Sequence, residues 1–303
     1  MPVNVLELIQ FPLPSRERAR VRGRRNARSP SPHSSPFKGE EVRSVAVIFL
    51  AIILLVVFPR IAYSFCHELE VVRAPLMRVA AANNAPVLIE WFGHSTFQIT
   101  SSKGTRILTD PHGRDDLPWP SFPQDIVTSS HPHGPHANVW MAKGNPVVLE
   151  GLTPGGESWR NIHTSIRDVS VYTVPAYHDK SQGLQRGKNA IFVFRVDDIC
   201  IAHPGDLGHH LTPAQLKMLG KIDIFLTPIA GGFYTVTPGE AREVTAQVNP
   251  RIAIPMHYDW EGALREYVRD NPRVRKLDGA ILKISKQELP PPTEIVVLSG
   301  RYR

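Results

Sequence analysis

Cysteine is scarce: Cys66 and Cys200 are the only two in 303 residues. That is too few for the disulfide framework of a small secreted scaffold, and Cys200, inside a β-rich run, reads as a buried thiol. A Gly-x-Ser-x-Gly elbow, a phosphate-binding P-loop and a glycine-rich dinucleotide fingerprint are all missing. Their absence argues against serine hydrolases of the elbow type, P-loop nucleotidases and dinucleotide-dependent oxidoreductases. No apolar run reaches the ~20 residues of a full membrane span; the best, Val45–Phe58, is too short. Charge of one sign is confined to the front of the chain. The first 64 residues hold ten Lys/Arg against four Asp/Glu, so the formal net charge of +7 leaves the remainder near +1. The basic character therefore belongs to the leader and says nothing about a substrate.

That leader has two parts. Residues 1–43 carry Arg16, Arg18, Arg20, Arg22, Arg24, Arg25 and Arg28, then a Ser/Pro-rich stretch from Ser29 to Pro36, with no sustained hydrophobic period. Such a segment is expected to be disordered. A start codon assigned too far upstream accounts for it better than a nucleic-acid-binding arm, since aromatics are sparse there and the rest of the chain has no basic motif; no nucleic-acid partner is expected. Residues 44–64 read as a signal peptide, with Val45–Phe58 as its apolar region and Ala62-Tyr-Ser64 as a small-x-small cleavage site. The competing reading is an uncleaved signal anchor through residues 45–58, the one membrane contact the chain would make. Either reading exports the remainder of the chain, to the periplasm or beyond. Residues 65–86 are then a linker and residues 87–303 one large domain.

Within that domain, β-rich runs recur at Val87–Glu90, Arg106–Thr109, Asp125–Thr128, Val147–Glu150, Ser170–Val174, Ala190–Val196, Ile222–Thr227, Arg251–Pro255 and Glu294–Leu298. Helical stretches interleave with them. Thr212 opens one through Leu219 with Pro213 at its first position, and Thr237-Pro-Gly-Glu240 caps another over Ala241–Val248. This alternation predicts an α/β fold of sheets covered by helices.

What is abundant is histidine in one place. His131, His133 and His136 fall within six residues, directly after an apolar run ending at Ile126 and Val127. Three imidazoles at that spacing make poor core filler, because each has a ring nitrogen that must be satisfied once buried. A metal satisfies all three, and imidazole suits zinc, iron or copper. Three further strand-like runs end in the same chemistry: Tyr177-His178-Asp179, His203-Pro-Gly-Asp206, and Arg251-Ile-Ala-Ile-Pro-Met-His257. Loops at strand ends carry function on a rigid scaffold, so four of them bearing ligand-type residues point to one metal centre.

The order of motifs from Val87 to Ser299 resembles the metallo-β-lactamase fold superfamily, in the branch of the ascorbate-phosphate lactonases and the N-acyl phosphatidylethanolamine phospholipase D type enzymes. The resemblance rests on Trp91-Phe-Gly-His-Ser-Thr-Phe97, Ile107-Leu-Thr-Asp-Pro111, the three-histidine loop, Tyr177-His178, Gly187-Lys-Asn189, His203-Pro-Gly-Asp206-Leu-Gly-His209 and Pro255-Met-His257. It implies an αββα sandwich of two mixed β-sheets flanked by helices. It implies two divalent ions, with zinc preferred and manganese or iron as alternatives. His131, His133 and His178 would bind one ion, His136 and His257 the second, and Asp206 would bridge both. Asp110 would hold a ligand imidazole from the second layer. His94, His209 and Tyr258 would orient substrate or protonate a leaving group beside the catalytic Asp206.

One position departs from that pattern. Where the family reads His-x-His-x-Asp-His, this chain has Pro135 before His136, and proline offers no ligand. The second ion would be held more weakly, unless another side chain such as Asn138 or His209 replaces the carboxylate. Two functions are then open. The first is an exported metal-dependent hydrolase that uses a metal-activated hydroxide on an ester, lactone or phosphodiester bond of a small or lipid-like substrate. The second is a metal-binding protein whose hydrolysis Pro135 has weakened or abolished.

Overall fold

The structure, a computed structural model, describes Cys66 and residues 85–299; the leader, the apolar run Val45–Phe58 and the rest of the linker lie outside the described residues. The first sheet contains β1 (Val87–Trp91), β2 (Phe97–Thr100), β3 (Arg106–Thr109), β4 (Ile126–Ser129) and β5 (Val147–Glu150). The second begins with β6 (His163–Ile166), β7 (Val169–Tyr177), β8 (Lys188–Val196) and β9 (Ile199–His203). Helix α1 (Pro213–Leu219), β10 (Ile224–Pro228), α2 (Pro238–Val248), β11 (Ile252–Met256) and α3 (Glu261–Tyr267) alternate after it. The chain closes with β12 (Val274–Lys276), β13 (Ile281–Ile284) and β14 (Glu294–Val297).

The sheet orders are β13-β1-β2-β3-β4-β5 and β12-β14-β11-β10-β9-β8-β7-β6, and both mix parallel with antiparallel pairs. Side chains alternate across each strand, which gives the second sheet two apolar faces. Ile224 and Leu226 of β10 point into a core shared with Ile89, Phe97, Ile99 and Ile107 of the first sheet. Phe225, between them, points the other way, into a second core closed by Leu219 of α1, Val244 of α2 and Tyr267 of α3. This is the two-sheet α/β sandwich that the resemblance implied, and it agrees with the alternation of strand and helix runs. Both forecast helix caps are formed: Thr212 with Gln215, and Thr237 with Glu240, each as a reciprocal capping box behind a proline.

Cysteine behaves otherwise than its scarcity suggested. Cys200 is not a free thiol. It is disulfide-bonded to Cys66, 134 positions away in sequence, with Cα atoms 6.1 Å apart. Cys66 is buried in the second core, and its carbonyl accepts a hydrogen bond from Lys221 N at 3.0 Å. Residue counting excludes a framework of several bridges; it cannot exclude one bridge that the fold closes over a long separation.

The consequence of the topology for function lies at one rim. The carboxyl ends of β1, β3, β4, β7, β9 and β11 lead directly to His94, Asp110, His131, His178, Asp206 and His257.

Candidate metal centre

Asp206 is the middle of this rim. Its carboxylate Oδ2 lies 3.0 Å from His178 Nε2, 3.1 Å from His136 Nε2 and 3.8 Å from His131 Nε2. Its Oδ1 lies 3.1 Å from His257 Nε2. His131, His133, His136 and Asp206 each bring one ligand-type atom into a group no more than 4.8 Å across, and His94, His136 and His257 form a second such group. His133 is exposed, whereas the others are buried.

The loop carrying Asp206 reaches this position because glycine permits close approach. A Cβ on Gly208 would stand 2.3 Å from the carbonyl oxygen of His178, so the Asp206 and His178 loops pack backbone to backbone. From the other side, Asn189 Nδ2 donates to the carbonyl of Pro204 at 2.7 Å. His203, fully buried, has Nε2 2.7 Å from the carbonyl of Ser95, which ties the end of β9 to the turn after β1.

Asp110 orients the histidines from beneath. It is fully buried and sits in the left-handed region at φ +36°, which short polar side chains tolerate best. Its Oδ2 is 2.9 Å from His136 Nδ1, and its Oδ1 accepts from Ser130 N at 2.8 Å. Ser130 Oγ donates to the same carboxylate and lies 2.9 Å from His131 Nδ1. One carboxylate therefore governs two imidazoles, the first directly and the second through a serine. Ser130 escaped sequence reasoning; its place immediately before His131 was the available signal.

These contacts set the electrostatics. Burial, and then the neighbouring His136, push His131 down to about 3. For His136 burial also disfavours the cation, but Asp206 and Asp110 on its two ring nitrogens outweigh it and raise it to about 10. Burial alone would raise Asp206; His136 and His257 instead hold it well below the ordinary carboxylate range. Asp110 is lowered as well: burial opposes, while His203 and His136 favour its anion.

Several buried polar atoms here make no hydrogen bond within the protein: His131 Nε2, His136 Nε2, Asp206 Oδ1, and Nδ1 of both His94 and His178. Orphaned nitrogens and a carboxylate oxygen clustered in one place are the signature of donors waiting on a cation, since a buried polar atom without a partner costs ~1–3 kcal/mol. The donor set fits a divalent metal.

Not every expected residue joins the centre. His209 Nε2 accepts a hydrogen bond from Tyr177 N at 3.1 Å, and its Nδ1 lies 2.6 Å from the carbonyl of His210. Both nitrogens are committed to the main chain, so His209 supports the end of β7 instead of facing a substrate. Asn138 is similarly occupied, with Nδ2 on the carbonyls of Pro111 and His112 and Oδ1 accepting from Trp140 Nε1. Tyr258 stacks on Trp91 with ring centroids 5.5 Å apart, and burial pushes its hydroxyl up to about 12.

A pocket of about 420 Å³ opens over His131, His133 and His178. Its far wall carries Arg186, whose guanidinium carbon stands 3.7 Å from the centroid of the Phe233 ring, and Lys188, whose Nζ stands 5.1 Å from that of Trp159. Asp179 shapes that wall. Its carboxylate accepts from the backbone N–H groups of Ser181, Gly183, Gln185 and Arg186 at 2.7, 3.0, 3.2 and 2.8 Å. Burial opposes its charge, but these four donors hold it below the usual carboxylate range.

The beta-lactamase superfamily domain profile matches residues 88–257, more than half of the chain and every element that builds this rim. The chain is a metallo-β-lactamase-fold, metal-dependent hydrolase. It is 32% identical over 195 residues to a UPF0173 metal-dependent hydrolase of Thermococcus onnurineus, a match covering 57% of this chain and 85% of that one. It is 30% identical over 223 residues to a UPF0173 metal-dependent hydrolase of Pyrobaculum neutrophilum, covering 65% and 96%. Among solved structures, a candidate zinc-dependent hydrolase of the metallo-β-lactamase superfamily from Thermotoga maritima superimposes with a TM-score of 0.56 at 33% identity, over 70% of this chain and 98% of that one. A candidate metal-dependent hydrolase from Parabacteroides distasonis, 20% identical, shares the fold with a TM-score of 0.51 over 70% and 94%.

Proposed function

We propose that this metal-dependent hydrolase uses two divalent ions, zinc by preference, to cleave an ester, lactone or phosphodiester bond in a small or lipid-like substrate bearing a negative charge. The observation that carries this reading is Asp206: a single carboxylate within 3.0–3.8 Å of imidazoles from three loops, beside a pocket with a basic wall. His131, His133 and His178 would hold one ion, His136 and His257 the other, with Asp206 between them. Metal ions bound there supply a water of lowered pKa and Lewis acidity toward the scissile oxygen.

The remaining work falls to the protein. Asp110 fixes the ring orientation of His136, and Ser130 fixes that of His131, so the donors are set before substrate arrives. Arg186 and Lys188 would pair with a phosphate or carboxylate, while Phe233, 65% exposed, offers apolar surface to an acyl or ring portion. The predominance of imidazole supports zinc over manganese. The zinc-dependent description of the Thermotoga relative points the same way. Export accords with the Cys66–Cys200 bond, since disulfides persist chiefly in oxidising compartments.

Metal content per chain, together with turnover of a generic phosphodiester and a generic lactone by apo and zinc-reconstituted protein, tests the reading. Zinc-dependent turnover of either supports it. A reconstituted protein that cleaves neither, or that cleaves them equally well without metal, refutes it.

A further inference from the structure

Pro135 leaves the His136 side of the centre one donor short, and the structure shows which side chain stands nearest. His94, His136 and His257 each present a ring nitrogen within 4.8 Å of the others, and all three are buried. The His94 ring centroid lies 4.8 Å from that of His136 and 3.9 Å from that of His257. His94 is 8% exposed, yet its Nδ1 makes no hydrogen bond.

The position of His94 is built into the backbone. It comes directly after Gly93 in a turn where both residues have positive φ, +92° for the glycine and +49° for the histidine. A Cβ on Gly93 would stand 2.9 Å from the Leu117 side chain, and a histidine in the left-handed region is itself uncommon. The carbonyl of His94 accepts from Trp91 Nε1 and from His257 N, each at 3.0 Å. One peptide oxygen thus locks His94 and His257 side by side. The two other residues that could have replaced the carboxylate, Asn138 and His209, are tied to main chain or to Trp140.

We propose that His94 is the ligand this chain uses where the pattern of the family it resembles has aspartate, so that His94, His136 and His257 hold the second ion together with Asp206. The inference rests on the metal-centre reading given under the proposed function. Three neutral imidazoles with one carboxylate carry one negative charge fewer than two imidazoles with two carboxylates. Such a nitrogen-rich set favours zinc and discriminates against manganese, which prefers oxygen donors.

The test is equilibrium titration of the metal-free full-length protein with zinc and, separately, manganese, reading bound metal per chain and monitoring the fold by circular dichroism. Unmodified protein is expected to bind two zinc ions. His94→Ala should retain the first ion at unchanged affinity and weaken the second at least tenfold. His94→Gln, which preserves volume, should do the same. Adding Pro135→Asp to His94→Ala should restore the second ion and admit manganese to it. The proposal is overturned if either single variant binds two zinc ions as tightly as the parent, if parent and variants alike bind one, or if a folded variant loses both. Failure of the parent to bind zinc at all would refute the metal centre itself, a distinguishable result.

Discussion

The two sides of the centre share Asp206 and differ in almost everything else. On one side His131, His133 and His178 face a pocket, and His133 is exposed. On the other, His94, His136 and His257 are buried together, and Asp110 holds His136 from below. The open side has room for a substrate, while the closed side has orientation and little access. The difference suggests a division of labour in which the buried side sets the electrostatics and the open side meets the scissile bond.

The largest effect should come from removing what the sides share. Asp206→Ala is expected to lower kcat/KM by about 10³-fold or more, as loss of a central electrostatic group does, while leaving a folded protein with a full apolar core. Steady-state kinetics with circular dichroism checks this, and full turnover in that variant would remove the centre from the chemistry. Next, Asp110→Asn should cost roughly 10–100-fold in metal affinity or activity. Because the carboxylate touches His136 directly and His131 only through Ser130, zinc titration should show the closed side weakened more. Equal weakening would abolish the asymmetry between the two sides.

The open side is probed by Arg186→Ala, which should raise KM for an anionic substrate by roughly tenfold, the value of one charge-assisted contact, and leave kcat and metal content unchanged. A fall in kcat instead would place Arg186 nearer the reacting bond than the pocket wall suggests. The smallest effect on function belongs to Cys66→Ser. It should lower stability by roughly 2–5 kcal/mol, the range for a bridge closing a long loop, with activity and zinc stoichiometry at low temperature unchanged. Thermal denaturation with and without reductant measures it.

Legibility in the sequence differed from part to part, for physical reasons. Strands β3 and β5 and the caps of α1 and α2 could be read to the residue or nearly so, because turn and capping chemistry is local. Strand β2 was not separated out: Phe97-Gln-Ile-Thr100 alternates apolar with polar residues, but four residues are too short a run to stand out, and the burial of Gln98 is set by the fold. Strands β12 and β13 are short and carry Lys276 and Lys283, and α3 has Trp260 at its N-cap position, which makes no side-chain cap. The histidine clusters were legible as donors, but the direction of each ring was not. His209 sits three residues after Asp206 and still turns to the backbone of Tyr177. Asp179 could not be told from a solvated carboxylate, because the four N–H groups it gathers belong to a loop whose shape it creates.

Pro135 occupies the first turn of the 3₁₀ segment Gly134–His136 that delivers His136 to the centre. Its ring restricts φ in the unfolded chain as well as in the folded one, so the loop loses less freedom on folding, an effect of ~0.4–1 kcal/mol where the native backbone suits proline. The residue that removed a charged ligand has therefore made the delivery of its neighbour stiffer. In this chain the three-histidine loop gives up charge for rigidity. A Pro135→Asp exchange that regains the charge would have to bear the restored entropy of the loop.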